Sequence, residues 1–380
     1  MLDTQSLATL KSQLQKQIGQ DMHVLEGLRD EIRPLGSTVR RILPRTTTSI
    51  SLVGTDGGNN RIQFDPFLVQ LVRVVDSSNN EYCLEAITPT TNVTELSRIQ
   101  FDETGAARTP LGRLMASLGV NDLTRLSHMI RRNDDDRPSS PSWVQVYREL
   151  MEWAVLFSVL QDKDFGTDTI IVCDGLLRSK VFAGDLFTRL SHGFKKAIER
   201  HWRDNRRRIY LVGVAKHSKV LDRYRLAMAL EGILTTGYPA YTPIPRELEE
   251  RAYVWSEYAR GDDRDWEGQE VNKFVAGKMF FVKFGAGPND PIWPVDIFQS
   301  QAEDAATILG CLLSDATDGF PVPFYPRCLQ KAHENAALVD FDFDILQDEV
   351  FAGLRAALGA NAKKLDEFQL RDVDLAQRRY

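Results

Sequence analysis

The sequence predicts an α/β protein in which one mixed β-sheet carries helices on both sides. An early pair of apolar runs indicates an antiparallel hairpin. Further along, an apolar strand, an amphipathic helix and another apolar strand follow one another, which is the order of a βαβ unit with a parallel pair. The chain has 380 residues and is 43% hydrophobic, enough to bury a large core.

Residues 3–33 are the first predicted element, a long amphipathic helix that Pro34 and Gly36 end. Its apolar residues recur at steps of three and four: Leu7, Leu10, Leu14, Ile18, Met22, Leu25, Leu28 and Ile32. So narrow a stripe on so long a helix fits packing against a partner helix, and packing on the chain's own domain is an equally good interpretation.

The hairpin comes next. Residues 48–55 and 61–75 are predicted strands, and the sequence DGGNN between them is typical of a hairpin turn. The run EYCLEAIT adds a third strand. Residues 95–141 are expected to hold two short helices, in RTPLGRLMASLG and NDLTRLSHMIRR, and then the loop NDDDRPSSPS. Aspartates 134–136 in that loop could bind a cation, but the neighbouring arginine, serine and proline residues favour a solvated loop.

An apolar helix is predicted over residues 142–160, before the βαβ unit. DTIIVCDG is a short continuous apolar run, as in a strand covered on both faces. The helix DLFTRLSHGFKKAIERHW and the strand RIYLVGVAKHS complete the unit. The strands KMFFVKFG and IWPVDIFQ, a helix near 300–314 and a charged helical tail from about 345 follow. A hairpin followed by alternating helix and strand matches the RNase H-like fold class.

Composition limits the possible functions. The net charge of -6 gives no overall signature of nucleic-acid binding, so any contact with DNA needs a local basic surface or an enclosed channel. The four cysteines are scattered without a CxxC pair, which argues against a zinc module or a disulfide scaffold. The N-terminus is polar, and no apolar run approaches the roughly 20 residues of a membrane helix. We expect a soluble cytoplasmic protein without a signal peptide.

Two of the predicted strands are followed by the pair Asp-Gly. Asp56 precedes glycine in SISLVGTDGGNNRI, and Asp174 does so in TDTIIVCDGLLRSK. Strand ends in an open α/β sheet line a crevice, and two like charges that meet there are unfavourable unless a cation lies between them. Oxygen ligands favour Mg²⁺ or Mn²⁺. Asp-Gly is also a common turn pair, so each is weak evidence alone; the pairing of both with buried-looking strands favours a metal site.

A third carboxylate lies in the helix WVQVYRELMEWAVLFSVL. Glu152 faces the same way as Val155, Leu156 and Val159, and a glutamate on a core-facing stripe is costly unless it is paired or metal-bound. A salt bridge to Arg148 is the structural alternative. Glu149 takes the place of Glu152 if the helix phase differs.

The segment FPVPFYPRCLQKAHENAAL carries Tyr325 and His333. Pro323 and Pro326 keep its start extended, so a helix is expected to begin near Arg327 and to hold His333 within its first two turns. A single histidine in an amphipathic helix is more often structural. An aromatic hydroxyl just upstream and three candidate carboxylates make this one a candidate for the same site.

These motifs resemble those of the NurA nucleases. The resemblance covers roughly residues 48–340, and its most specific parts are IIVCDGLL and FYPRCLQKAHE. It implies an RNase H-like fold, a homodimer, degradation of DNA with Mn²⁺ (or Mg²⁺) and work beside a HerA-type hexameric ATPase. It implies a site made of Asp56, Glu152 and Asp174 as metal ligands, with Tyr325 and His333 completing it.

From this resemblance we expect metal-assisted hydrolysis of DNA phosphodiesters, in DNA end processing and repair or in antiphage defence. His333 would be a metal ligand or a proton shuttle, and Tyr325 would orient a phosphate oxygen or the water. Lys216, just past LVGV, would neutralise charge in the transition state or is an ordinary exposed lysine. We expect residues 1–47 to contact a partner, 48–345 to form the nuclease domain with its insertion at 95–141, and 346–380 to be a charged tail.

Other interpretations remain open. The stretch KKAIERHWRDNRRR fits a track for DNA phosphates and a solvated helix end equally well. Both Asp-Gly pairs lack the serine that the resemblance leads us to expect after them, which permits a non-catalytic subunit of a DNA-translocase complex. An actin-like or sugar-kinase-like ATP-binding protein would need a glycine-rich phosphate loop, and GAGPNDP is the one weak candidate. The sequence contains no GxxxxGK[ST] motif.

Overall fold

A computed structural model describes residues 3–45, 50–64, 67–140, 142–253, 263–265, 270–337 and 340–363. Its strands are β1 (Arg40–Arg41), β2 (Ile50–Phe64), β3 (Phe67–Asp76), β4 (Glu81–Ile87), β5 (Asp168–Asp174), β6 (Ile209–Val214), β7 (Ala240–Pro243), β8 (Asp263–Asp265), β9 (Glu270–Asn272), β10 (Gly277–Lys283) and β11 (Ile292–Phe298). Its helices are α1 (Thr4–Ile32), α2 (Val93–Arg98), α3 (Pro110–Leu118), α4 (Leu123–Leu126), α5 (Trp143–Asp162), α6 (Leu186–Asn205), α7 (Lys219–Leu230), α8 (Arg246–Ala252), α9 (Ala305–Thr317), α10 (Arg327–Ala336) and α11 (Asp340–Leu358). Short 3₁₀ helices cover Arg33–Thr38, Gln299–Asp304 and Gly359–Asn361.

Nine strands form one mixed sheet in the order β1-β7-β10-β11-β6-β5-β2-β3-β4, and β8 pairs with β9 apart from it. The three central strands β6, β5 and β2 are parallel. The outer pairs on both sides are antiparallel. The predicted mixed sheet, with an antiparallel hairpin before a βαβ unit, is confirmed.

Helices cover the central strands on both faces. On β5, Ile171 packs into a core with α5 and α6, whereas Ile170 and Val172 pack into a second core with α9 and α10. Alternate side chains of a strand point to opposite faces, so a strand that is covered twice is apolar at every position. This is the reason that the run in DTIIVCDG does not alternate.

The N-terminal helix packs on its own domain over its last two turns only. Ile32 is buried in a third core with α7 and α8, and Leu25 and Leu28 lie against that core. The remaining stripe is 41–61% exposed at Leu7, Leu10, Leu14, Ile18 and Met22. None of the described helices is long and apolar enough to cross a bilayer.

The prediction that DGGNN forms the hairpin turn is wrong. β2 runs unbroken through it and pairs with β3 from Asp56 opposite Val75 to Asn60 opposite Leu71. The parallel pairing of β2 with β5 stops at Thr55 opposite Cys173, so β2 continues beyond the end of β5 with β3 beside it. Gly57 here therefore allows a close approach to the strand, by the Glu152 side chain.

Two other expectations need correction. The helix expected in NDLTRLSHMIRR is limited to α4, because Asp122 caps its start and Ser127 turns extended to bridge Phe182. The pattern did not reveal α7, β7 or α8. Residues 48–49, 65–66 and 364–380, for which strand or helix was predicted, lie outside the described residues.

Candidate active site

The two Asp-Gly pairs meet where the parallel pairing of β2 with β5 stops. Because Thr55 is opposite Cys173 in that pair, the next residues, Asp56 and Asp174, lie side by side. Asp174 ends β5 as predicted, whereas Asp56 lies within β2, which continues along β3, so the expectation that Asp56 ends a strand is wrong. Single ligand atoms of Asp56, Asp174 and His333 all lie within 4.8 Å of one another. Two carboxylates and one imidazole thus converge from segments that are far apart in the sequence.

Helix α10 places the imidazole and the phenol. A Cβ atom at Gly54 would lie 2.4 Å from the carbonyl oxygen of Cys328, so the helix backbone rests directly on that of β2. His333 Nδ1 lies 2.8 Å from Asp56 Oδ2. The Tyr325 hydroxyl, just before the helix, donates to Asp174 Oδ1 at 2.9 Å.

Lys216 follows β6 by two residues and reaches the same carboxylate. Its Nζ lies 3.2 Å from Asp174 Oδ2 and 5.4 Å from the centre of the Tyr325 ring. Lys216 is exposed, as the alternative interpretation expected, and it also pairs with this carboxylate, as a role in the site would require. Asp174 thus forms an ion pair through one oxygen and accepts a hydrogen bond from a hydroxyl group through the other.

The turn after Asp174 depends on residues that sequence reasoning did not single out. Gly175 has φ of 130°, a conformation that favours glycine, and its carbonyl oxygen lies 2.3 Å from where a Cβ of Gly213 would be. Arg178 then anchors the chain through hydrogen bonds to both carboxylate oxygens of Asp296 at 2.7 Å and a further one to Glu249. A glycine between two valines in LVGVAK was the available signal for the contact at Gly213.

Glu152 approaches from the opposite face of the sheet. Its Oε1 would lie 2.2 Å from a Cβ at Gly57, so the carboxylate rests against the β2 backbone next to Asp56. Arg148 Nε lies 3.3 Å from the same oxygen, and this is the salt bridge considered as the alternative. Glu152 is not part of the group within 4.8 Å, because α5 and α10 lie on different sides of the strands. Glu149 accepts a hydrogen bond from Ser179 Oγ at 2.5 Å instead.

Burial and like charges raise the pKa values of Asp56 and Glu152. Burial raises the pKa of Asp56, and the Asp174 charge adds to this while His333 opposes it. Burial raises the pKa of Glu152 to about 8, against the influence of Arg148 and with further contributions from Asp56, Glu149 and Asp174. Glu152 is nonetheless 32% exposed, on a cleft of about 490 Å³ that Asp56 and Asp174 also line. Carboxylates this crowded favour a bound cation, and the donor set fits a divalent one.

Comparisons with known proteins were made on the whole chain. No protein-family model and no curated protein matches it. Among solved structures, the NurA nuclease from Sulfolobus solfataricus is similar, with 13% identity, a TM-score of 0.46, and coverage of 92% of this chain and 98% of that one. A NurA bound to dAMP and manganese has 10% identity, a TM-score of 0.38, and coverage of 89% and 94%. The similar structures are NurA nucleases, as the motifs predicted. Because these identities and TM-scores are low, the support for each residue's role is the geometry of the site in this chain.

The weak phosphate-loop candidate GAGPNDP is occupied by the chain's own carboxylate. Asp290 Oδ2 accepts a hydrogen bond from the Gly287 amide at 2.6 Å and lies 1.9 Å from where a Cβ of Gly285 would be. Lys283 Nζ donates to the carbonyl oxygens of Thr236 and Gly287, each at 2.7 Å. These contacts disfavour an ATP site in this loop.

The basic stretch at the end of α6 lies away from the acids. It leads into the amino end of β6, whereas Asp174 stands at the carboxyl end of β5, so about 20 Å of strand separates them. Trp202 is 45% exposed, with the guanidinium groups of Arg206 and Arg208 at 5.6 and 5.4 Å from its ring centre. Arg203 pairs with Asp204. The structure does not bring this stretch to the candidate site.

Proposed function

We propose that the protein is a divalent-metal-dependent nuclease that hydrolyses phosphodiester bonds in DNA. The observation that supports this is the convergence of Asp56, Asp174 and His333 within 4.8 Å on the neighbouring strands β2 and β5 and the helix α10. The neighbouring Glu152 adds a fourth donor group on the same cleft. A cleft lined by carboxylates repels an anionic substrate unless bound cations mediate the contact.

Asp56, Asp174 and His333 would hold the ion, and Glu152 is the nearby carboxylate available to complete its ligands. Once bound, a divalent cation supplies charge stabilisation for the phosphate and lowers the pKa of a coordinated water. The donor set points to Mn²⁺ ahead of Mg²⁺, since imidazole is a ligand for transition metals and Mg²⁺ prefers oxygen.

The chain's own side chains prepare the site for an anion. Burial, with the adjacent Asp174, raises the pKa of Tyr325, so its phenol keeps its proton and acts as a donor that orients the carboxylate. Lys216 places a positive charge beside Asp174, where it offsets charge that develops on a phosphate in the transition state. The proposed roles are thus orientation for Tyr325 and charge stabilisation for Lys216.

The deciding experiment is degradation of end-labelled linear DNA with Mn²⁺ by the wild type and by Asp174→Ala. The substitution removes a ligand and is expected to abolish cleavage, while Asp204→Ala, an exposed acid at the other end of the strands, keeps wild-type activity. Circular dichroism and the melting temperature check that both variants fold. Full activity of a folded Asp174→Ala would refute the proposed site.

Finer features belong to the same proposal. The antiparallel β2–β3–β4 unit followed by parallel β5 and β6, with acids on the adjacent strands β2 and β5, supports an RNase H-like class. The exposed stripe of α1 offers a surface for a homodimer or for a HerA-type ATPase, in DNA end processing or antiphage defence in the cytoplasm. The proposed regions are 1–47, 48–345 with the insertion 95–141, and 346–380. Repeating the assay with such an ATPase and ATP tests the partnership.

A non-catalytic assembly subunit is the second candidate. One observation favours it: Asp174 and Glu152 each contact a cationic side chain of the chain itself, Lys216 and Arg148. Such pairs stabilise a fold without any metal. Absence of cleavage by the folded wild-type protein with Mn²⁺, with or without an ATPase, would favour this candidate over the nuclease.

A further inference from the structure

The segment that supplies Tyr325 and His333 also exposes an aromatic ring. Phe320 is 82% exposed, which is the highest value among the exposed large apolar side chains in the described part of the chain. An apolar ring in water is unfavourable, and a large one held there is a candidate contact for a ligand.

The turn that carries Phe320 is held rigidly. Gln330, buried in α10, accepts a hydrogen bond from the Val322 amide at 2.8 Å and donates to the carbonyl oxygens of Val322 and Tyr325 at 3.0 and 2.9 Å. A Cβ at Gly319 would lie 2.4 Å from the Tyr325 carbonyl oxygen, so the residue before Phe320 packs directly on the backbone of Tyr325. The ring is therefore presented by a fixed turn.

This turn lies close to the metal carboxylates. Gly319 touches the backbone of Tyr325, and the Tyr325 side chain reaches Asp174 with its hydroxyl. Phe320 thus directly follows a residue that packs on the backbone of Tyr325, whose hydroxyl is bound to Asp174. On α10, Arg327 and Lys331 are exposed and stand one turn apart on the same side of the helix.

We propose that Phe320 is a substrate-positioning residue that stacks on an unpaired base of the strand being cleaved, and that Arg327 and Lys331 contact neighbouring phosphates of that strand. Exposed aromatic rings next to basic groups bind single-stranded nucleic acid by this combination, which tolerates any base sequence. The inference rests on the proposed nuclease function and adds a residue that positions the substrate. A stacked base must be unpaired, so single strands and frayed ends are the favoured substrates.

The test compares the wild type, Phe320→Ala and Phe320→Trp on a labelled single-stranded oligonucleotide with Mn²⁺. Loss of one stacked base is expected to raise KM by a factor between about 5 and about 150, with kcat within twofold, and Phe320→Trp restores KM. The ring is exposed, so the melting temperature stays unchanged. Leu226→Ala, which removes a 61% exposed side chain from α7, is the matched control and keeps the wild-type KM.

Binding is measured separately on the full chain with Asp174→Asn, by fluorescence anisotropy of the same oligonucleotide. Phe320→Ala in that background is expected to weaken binding by the same factor. Unchanged KM and affinity in Phe320→Ala would overturn the inference while leaving the nuclease intact. The same is true if Phe320→Ala loses only its response to an ATPase, since the ring would then contact protein. A wild type that neither binds nor cleaves DNA refutes the proposed function itself.

Discussion

Replacing Gly57 with alanine should damage catalysis while leaving the fold intact. The added methyl group would lie 2.2 Å from Glu152 Oε1, whereas ordinary contacts begin near 3.4 Å, so the carboxylate must move by about 1.2 Å. Gly57 is not among the glycines with a left-handed φ, so alanine fits the strand backbone. Glu152 is a flexible side chain and can move without disturbing the core, which keeps the cost in stability small.

A shift of about 1 Å in a catalytic group can cost on the order of 100-fold in rate, which is about 2.7 kcal/mol in the activation free energy. We therefore expect kcat of Gly57→Ala on end-labelled DNA to fall by about two orders of magnitude, with a melting temperature close to that of the wild type. Gly27→Ala, where the added methyl group meets nothing within 4 Å, is the control and keeps full activity.

A double variant tests the contact between Gly57 and Glu152 directly. Glu152→Asp shortens the side chain by one methylene and withdraws the carboxylate from the methyl group that Gly57→Ala adds, so the clash disappears. The two substitutions are then not additive, and Gly57→Ala with Glu152→Asp should be about as active as Glu152→Asp alone. Wild-type kcat in a folded Gly57→Ala, or full additivity in the double variant, would refute a role for Gly57 in placing this carboxylate.

Two further predictions concern stability. Burial alone would raise the pKa of Asp76, but hydrogen bonds from Asn80, Tyr82 and the Ser78 amide lower it overall. The ionised Asp76 therefore stabilises the fold at pH values above the ordinary aspartate pKa. This stabilisation is lost as the pH falls through the lower pKa that Asp76 has in the folded protein. Asp76→Asn should therefore lower the free energy of unfolding, measured in urea, by about 1–3 kcal/mol at pH 7 and by less at pH 3. An equal loss at the two pH values would contradict this. Arg178→Met leaves Asp296 buried without its cation and leaves Glu249 with Arg246 alone. It should lower the free energy of unfolding by about 3–5 kcal/mol, whereas Arg203→Met, at an exposed ion pair, should lower it little. Equal melting temperatures for the two variants would show that the buried group is not stabilising.

The parts of the structure that local patterns determine were predictable from the sequence. The strand ending at Asp174 is apolar without alternation from Ile170 to Cys173 because two cores cover it, and the helix start at Arg327 follows from the prolines before it. Those two features suffice to suggest an acidic strand end and a nearby histidine. The N-terminal stripe likewise predicted a helix, although not which part of it packs.

Other features depend on contacts between distant segments, which composition does not encode. DGGNN has the residues of a tight turn, yet Gly57 is explained by the approach of Glu152 from another element. The helix stripe indicated that Glu152 faces the core but not that it reaches the acids from the opposite side of the sheet. Phe320 lies in a proline-rich loop, where no periodicity reveals that its ring is held in solvent.

The contact between Gly54 and the carbonyl oxygen of Cys328 determines which mutations the site tolerates. Because main-chain atoms of β2 and α10 touch there, the spacing of Asp56 and His333 does not depend on the size of any side chain at that contact. Conservative replacements at Cys328 or elsewhere in the surrounding core can therefore accumulate without changing the relative position of the Asp56 carboxylate and the His333 imidazole. A single methyl group at Gly54 would lift the helix from the strand, so this glycine, which has no functional group, is less replaceable than most of the side chains around it.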